Sequence, residues 1–198
     1  MKRKAICKQG RIWTIRVVAC LSLCRLVGHP STLAENLTSP EYKIKAAFLY
    51  NFAKLTDWPA STFPTVQSPL VIGVLGRDPF GALLDETIKD HKIDGRSLAV
   101  RRFNSLKDVK DCHILFICES EQENFTEILT TLRDKPILTV SDHGRFTGHG
   151  GMIQLLNKQE GIRFAINTTA ASRARLKLSS KLLKLASNLQ AGPLPGGD

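Results

Sequence analysis

The fold class is decided by one stretch of the sequence, Pro69-Leu-Val-Ile-Gly-Val-Leu-Gly-Arg-Asp-Pro-Phe-Gly81. Its first half is a continuous apolar run, which is typical of a strand covered on both faces. Asp78 is a favoured helix N-cap and Pro79 a favoured first helical residue, so we predict a helix from about residue 79 to 91. A buried strand leading directly into a helix indicates the start of a βαβ unit.

The same alternation continues toward the C terminus and then changes. Further strands are predicted at 97–103, 114–118 and 137–140, with helices at 105–110 and from Ser120 to about Arg133. Segments 152–156 and 162–166 then predict a hairpin, with its turn at 159–161. We therefore expect a single three-layer α/β domain with a mainly parallel sheet, helices on both faces and an antiparallel hairpin near the C-terminal edge.

Two amphipathic helices are predicted outside this core. The first spans Glu41 to Trp58, where apolar residues recur at helical spacing and three lysines, Lys43, Lys45 and Lys54, lie off the stripe. The second runs from Thr168 or Thr169 to about Leu189, and basic residues surround its leucines. Such a helix can lie on an anionic membrane, although packing on the sheet is the more common arrangement. The stripes are Ile44, Ala47, Phe48, Phe52, Leu55 and Trp58, and Leu178, Leu182, Leu185 and Leu189.

The charge distribution separates the N-terminal segment from the rest. The chain has 28 basic and 18 acidic residues, a formal charge of +10, and seven of the bases but no acid lie in residues 1–30. Within this segment a basic n-region precedes a short apolar stretch from Val17 to Cys24, and Thr32-Leu-Ala34 comes after it, with small residues at the −3 and −1 positions of a cut after Ala34. This order predicts a secretory signal peptide over residues 1–34, and a basic nucleic-acid arm is the alternative. We expect a linker at 35–40, the α/β domain at 41–190 and a flexible tail at 191–198.

The cysteines do not predict a disulfide. Cys112 and Cys118 flank one predicted strand, which separates them by about 20 Å at about 3.3 Å per residue. That separation is far beyond disulfide reach, and no second Cys or His cluster has metal-ligand spacing. The remaining cysteines of the chain lie in the predicted signal peptide. We expect both thiols to be buried apolar groups.

Possible reactive and ligand-binding motifs are weak. Gly76 and Gly81 lie between a predicted strand and helix, where α/β folds bind phosphates, but the stretch lacks the P-loop ending and the third glycine of a dinucleotide site. Asp78 would repel an anion there, so a capped turn is favoured. His113 opens a buried strand and is predicted to be a core histidine.

A glycine-rich loop holds Asp142, His143 and His149, which could ligate a metal, but no third His or Cys lies nearby. We favour an exposed loop without a ligand. No nucleophile motif is present. We therefore predict no enzymatic activity, no cofactor and no metal.

Several strings together resemble the YfiR family, over about Tyr42 to Leu189 and in the family's order. The resemblance implies a periplasmic α/β protein without catalytic activity. Members with an assigned role bind the periplasmic sensor domain of an inner-membrane diguanylate cyclase (a GGDEF protein) and lower cyclic-di-GMP, biofilm and exopolysaccharide; members tend to form homodimers. The strings are Lys45-Ala-Ala-Phe-Leu-Tyr-Asn-Phe-Ala-Lys54 with Trp58-Pro59, the Pro69–Gly76 and Asp78–Gly81 segments, Cys112-His-Ile-Leu-Phe-Ile117, Gly150-Gly-Met-Ile153, Ile162-Arg-Phe-Ala-Ile-Asn167 and Leu176-Lys-Leu-Ser-Ser-Lys-Leu-Leu183.

One departure from the family concerns disulfides. The resemblance implies that some members pair a cysteine at the position of Cys112 with one in the first strand, where this chain has Gly73. It also implies a second pair where this chain has Thr147 and Gln154. Redox control through those bonds is therefore not expected in this protein.

We hypothesise an exported, non-catalytic regulatory protein that inhibits a membrane diguanylate cyclase. The candidate partner surface is the late hairpin with its preceding loop: Phe146, Met152, Ile153 and Phe164. The alternative is that these side chains fill the core, because half of any strand faces inward. A periplasmic small-ligand receptor that uses the crevice near residues 76–81 is the second hypothesis. A cytosolic nucleic-acid binder is the third, and it requires that the N terminus be retained.

Overall fold

The computed structural model describes residues 40–186 and 188–190. The predicted signal peptide, most of the predicted linker and the predicted tail lie outside these residues. The helices and strands, in chain order, are α1 (Pro40–Lys54), β1 (Thr56–Asp57), β2 (Leu70–Leu75), α2 (Ala82–Ile88), β3 (Lys92–Ile93), β4 (Arg96–Phe103), β5 (Ile114–Ile117), α3 (Phe125–Leu132), β6 (Leu138–Ser141), β7 (Ile153–Lys158), β8 (Gly161–Asn167), α4 (Thr168–Arg173), β9 (Lys177–Leu178), α5 (Ser180–Leu185) and β10 (Asn188–Gln190).

The described residues form a main sheet with the strand order β10-β8-β7-β6-β5-β2-β4-β3. Strands β4, β2, β5, β6 and β7 are parallel neighbours, whereas β7 and β8 form the predicted antiparallel hairpin. Strand β10 adds a parallel edge beyond β8. This mainly parallel sheet confirms the predicted α/β fold class.

Helices cover both faces of the sheet, and strand alternation assigns each side chain to one of them. In β5, Ile114 and Phe116 belong to the apolar cluster that includes residues of α1 and α2. Leu115 and Ile117 belong to the opposite cluster, which includes residues of α3. All four side chains are fully buried, which explains why β5 is an uninterrupted apolar run rather than an alternating one.

The predicted buried face of α1 is only partly correct. Phe52 is buried and Phe48 packs against the core, but Ile44 is 48% exposed and Ala47 is also exposed, whereas Lys45 is only 2% exposed. The helix packs Lys45 together with an apolar set against the sheet, so the apolar periodicity alone did not place the whole buried face. The physical reason is that Lys45 is paired with carboxylates, which removes most of the penalty for burying its charge. The apolar set is Ala46, Leu49, Phe52 and Ala53.

The predicted final helix is also wrong, because it is interrupted. Helix α4 ends at Arg173, and Arg175 takes a left-handed conformation with φ of 60°, which stops helical propagation. Leu178 then pairs with Thr56 as part of the two-stranded sheet of β9 and β1. Helix α5 buries Leu182 and leaves Leu185 exposed, and the chain returns to the main sheet as β10.

The residues at which these helices were predicted to begin do not cap α2, α3 or α4. Asp78 accepts a hydrogen bond from the Phe80 backbone N–H at 2.7 Å, which closes a turn before α2 instead of capping the helix. The Ser120 hydroxyl accepts from the Arg77 N–H at 2.9 Å and does not cap α3. Asn167, rather than a threonine, caps α4 by accepting from the Ala170 N–H.

Candidate functional site

The crevice predicted for a ligand is occupied by the protein's own side chains. Strand β2 lies between β4 and β5, so the strand order reverses there, and ligands in such sheets bind outside the carboxyl ends at this point. Here the Ser120 hydroxyl reaches the Arg77 N–H, and a Cβ built on Gly76 would lie 2.5 Å from the Ser120 oxygen. The Ser120 side chain therefore takes the place that a bound phosphate would need.

The carboxylate beside this crevice is neutralised within the chain. Arg102 contacts Asp78 at 2.7 Å and Asp85 at 2.5 Å, and it also donates to the Gly81 carbonyl. Hydrogen bonds to these carboxylates, the largest effect coming from Asp85, raise the pKa of the Arg102 guanidinium. Residues 78–81 thus form a turn that Arg102 braces, as expected for a capped turn.

A buried ionic network lies at the end of β6. Lys45 Nζ contacts Asp142 Oδ2 at 2.5 Å, and the Tyr42 hydroxyl donates to the same oxygen at 3.0 Å. Lys45 also contacts Glu41, which accepts from Asn157 Nδ2 at 2.8 Å. Hydrogen bonds from Lys45 and Asn157 lower the pKa of Glu41, while burial and the Asp142 carboxylate raise the pKa of Tyr42. The network ties α1 to the start of the 142–152 loop and to β7.

The loop histidines do not assemble a metal centre with Asp142. Asp142 is engaged by Lys45 and Tyr42, and His143 packs edge-on against Phe125 with ring centroids 5.3 Å apart. Among residues 40–186 and 188–190, no group of three or more His, Cys, Asp or Glu side chains has an arrangement that could hold a metal ion. His149 lies apart, in the wall of two neighbouring cavities.

The four predicted partner-surface residues are inside the core. All four are buried, so their side chains fill the core, which is the alternative that the sequence left open: Phe146, Met152, Ile153 and Phe164. Phe146 shows the reason most directly: its ring lies against Phe125 at 5.3 Å and over Gly151, where any Cβ would collide with the ring. Their role in partner binding remains a prediction, but these residues form no exposed patch.

The other face of the same hairpin lines a groove, although Gln154 and Ala165 are themselves largely buried in it. Ile153, Leu155 and Phe164 point into the core. Because successive side chains of a strand point to opposite faces, Gln154, Leu156 and Ala165 point away from it. There they line a groove of about 520 Å³. Its remaining lining residues are Arg145, Thr147, Gly148, His149 and Lys158, so the lining contains bases but no carboxylate. We call this the hairpin groove.

Both described cysteines are free and buried, as predicted. Burial raises the pKa of each thiol to about 12, so neither is a reactive thiolate at neutral pH. The positions that the family resemblance linked by disulfides are close in space. A Cβ on Gly73 would lie 2.7 Å from Cys112 Sγ, and the Thr147 hydroxyl and Gln154 Oε1 are 3.2 Å apart.

His113 is a core histidine, as predicted, but an incompletely satisfied one. Its Nδ1 accepts from the Val71 N–H at 3.0 Å, and its ring stacks on Phe63. Its Nε2 is buried and has no hydrogen-bond partner within the described residues. Burial lowers the pKa of His113 to about 4, so the ring is neutral at physiological pH.

Comparison with known proteins gives a family match over almost all of the described residues. A model of the family DUF4154, described as YfiR/HmsC-like, matches residues 42–187. No curated protein gives a significant match. Within the described residues, no helix has the length and apolar character needed to cross a membrane.

The solved structures that resemble the chain are distant in sequence. A conserved domain protein from Vibrio cholerae has 12% identity and a TM-score of 0.53; the match covers 73% of this chain and 60% of that one, less than two thirds of its length. The ABC domain in complex with L-Trp from Streptococcus pneumonia has 10% identity and a TM-score of 0.47, covering 61% of this chain and 55% of that one. At such identities the first likeness supports the fold alone.

Proposed function

Because the chain belongs to the YfiR/HmsC-like family, we propose that it is a periplasmic, non-catalytic regulator that inhibits an inner-membrane diguanylate cyclase through the cyclase's periplasmic sensor domain. The family is a regulatory one and acts through a partner. The predicted signal peptide supports export. N-terminal sequencing of the mature protein tests this point: we expect a start after Ala34, and an intact Met1 would contradict export.

The partner surface that we propose is the hairpin groove. The observation that carries it is a groove of about 520 Å³ along the hairpin whose lining contains basic side chains but no carboxylate. Arg145 and Lys158 have no ion-pair partner among the described residues, and Leu156 is half-buried in the same lining. Such a surface is complementary to an acidic segment of the sensor domain that also presents an apolar side chain. This assignment keeps the hairpin as the partner element but replaces its inward-facing residues with outward-facing ones.

Repression of this kind needs a difference in affinity rather than a tight complex alone. A regulator that bound the active and inactive sensor equally well would not change the ratio of active to inactive cyclase. To move the cyclase from almost fully active to almost fully inactive, the groove must prefer the inactive sensor by about 5 kcal/mol. Charged pairs that form in only one sensor conformation supply such a preference, because each close pair contributes about 1.5 kcal/mol or more.

The groove is tested with the double variant Arg145→Asn/Lys158→Glu. Asparagine tolerates the left-handed backbone of Arg145, where φ is 65°, so the fold is retained. The matched control is Arg175→Asn/Lys110→Glu, which changes another left-handed arginine, with φ of 60°, and a lysine outside the groove lining.

Cyclic-di-GMP is measured in the native host and sensor-domain binding is measured in vitro. We expect the groove variant to lose repression and to bind the sensor about a hundredfold more weakly, while the control behaves as the unmodified protein. Full repression by a folded groove variant would remove the hairpin groove from consideration. A homodimer, which the family resemblance also implies, is checked on the same samples by light scattering.

A further inference from the structure

A second cavity, distinct from the hairpin groove, lies between two short helices. It has a volume of about 210 Å³. One wall is a stripe of α3 and the residue after it, the second wall belongs to α4, and the third is the turn at His149 and Gly150. Side chains of β6 and of the residue before β7 complete the lining. The complete lining is Thr126, Leu129, Thr130, Leu132, Arg133, Thr139, His149, Gly150, Met152, Ala170 and Arg173.

The chemistry of this lining divides into a cationic part and an apolar part. Arg133, Arg173 and His149 supply all the ionisable groups, and no carboxylate is present. Neither arginine side chain has an ion-pair or hydrogen-bond partner among the described residues, whereas Arg102 has two ion-pair partners and Arg163 has one. The apolar part consists of the mostly buried side chains Leu129, Leu132, Met152 and Ala170.

The turn that forms the third wall is held in place by hydrogen bonds within the protein. The His149 N–H donates to the Arg145 carbonyl at 3.1 Å, and the Gly151 N–H donates to the Phe146 carbonyl at 3.0 Å. The Met152 N–H donates to the Thr139 hydroxyl at 3.1 Å, which leaves that hydroxyl's own proton available to a ligand. A wall held by the main chain does not have to be ordered on binding, so less affinity is lost to conformational entropy.

We propose that this cavity binds a small organic anion, with a carboxylate or phosphate head between Arg133 and Arg173 and a compact apolar body against Leu129 and Met152. Arginine pairs with both kinds of oxyanion through parallel hydrogen bonds. The volume is below the range of about 300–1,000 Å³ of drug-sized sites, but an apolar cavity of about 150 Å³ accepts a benzene ring. The site is independent of the proposed repressor role, and its test uses the protein alone.

The probes are phenyl phosphate, phenylacetate, inorganic phosphate and benzyl alcohol. The first two combine a ring with either anionic head, the third is a head alone and the fourth is an uncharged ring. Binding is measured by calorimetry and located by amide chemical-shift changes of the protein. The variants are Arg133→Gln and Arg173→Gln, with Lys135→Gln and Arg175→Gln as matched controls that remove the same charge two residues away, outside the lining.

We expect phenyl phosphate, phenylacetate or both to bind at millimolar concentration or below, with shifts at Thr126, Gly150 and Ala170. Each lining variant should weaken that binding about tenfold or more, because a charge-assisted hydrogen bond is lost, and the controls should not. Comparison of the two ring-bearing anions identifies the preferred head. Three results would each overturn the proposal: no binding of either ring-bearing anion, equal weakening in the controls, or binding of inorganic phosphate as tight as that of the ring-bearing anions.

Discussion

His113 makes the stability of this protein depend on pH in a window where carboxylates do not titrate. Its ring is buried against Phe63, at a centroid distance of 4.4 Å, with Trp58 edge-on at 6.0 Å. Because Nδ1 accepts from the Val71 N–H, the neutral ring carries its proton on Nε2. A second proton would have to enter at Nδ1 and break that hydrogen bond.

The sign and size of the effect follow from the pKa. Burial first, and then the positive charge of Arg96, lower the pKa of His113 from 6.5 to about 4; Asp111 acts in the opposite direction and Arg101 in the same one. The unfolded chain therefore takes up a proton near pH 6.5 while the folded chain does not. The free energy of unfolding has its full value above pH 6.5 and is about 2 kcal/mol smaller at about pH 5. Below about pH 4 it levels off at about 3 kcal/mol less than its full value.

Urea unfolding between about pH 7.5 and about pH 5 measures this loss, since most carboxylates stay ionised over that range. We expect the free energy of unfolding to drop by about 2 kcal/mol in the unmodified protein, and to stay nearly level in His113→Asn, which keeps an acceptor for the Val71 N–H. The control His91→Asn, at an exposed histidine, should keep the full pH dependence. The reasoning would be refuted if the free energy of unfolding of the unmodified protein did not change with pH, or if that of His113→Asn changed equally.

Three further substitutions test the core and the ionic network. Lys45→Met leaves Asp142 without its cation, so urea unfolding should show a loss of about 3–5 kcal/mol, partly recovered by adding Asp142→Leu; an equal loss in both variants contradicts the ionic explanation. Gly73→Cys should form a disulfide with Cys112 and gain up to about 4 kcal/mol on oxidation; two titratable thiols at these positions after oxidation contradict the placement. Phe146→Glu should lose about 4 kcal/mol or more, and a circular-dichroism melting curve unchanged from the unmodified protein contradicts its burial.

Much of the fold could be predicted from local sequence patterns. The apolar runs of β2, β5 and β6 indicated strands covered on both faces, and the structure confirms that their side chains are buried. A run of this kind is informative because a helix or a half-exposed strand would place several of its residues in water. The turn residues between the runs then implied short connections and a parallel sheet.

The hairpin was predicted in the correct region, but the sequence left open which of its side chains face the core. The hairpin was expected at 152–166, and β7 and β8 form it; Ile153 and Phe164 lie in the core, whereas Leu156 and Ala165 line the groove on the opposite face. Both faces of β7 contain apolar residues, so alternation could not decide which of them faces the core. The basic lining gave no signal in the sequence either, because Arg145 and Lys158 are separated by the buried part of β7.

The sequence by itself determined the central strands and the helices between them, because those preferences arise from backbone geometry and from apolar residues a few positions apart, but it did not determine the interrupted segment after Arg173. Only the tertiary structure decided which face of each element is buried. Lys45 illustrates the reason: its pattern predicts a solvated lysine, and it is buried because Asp142, 97 residues away, meets it at the end of β6. The free energy of a charge depends on the partners that folding brings to it, and local spacing carries no information about them.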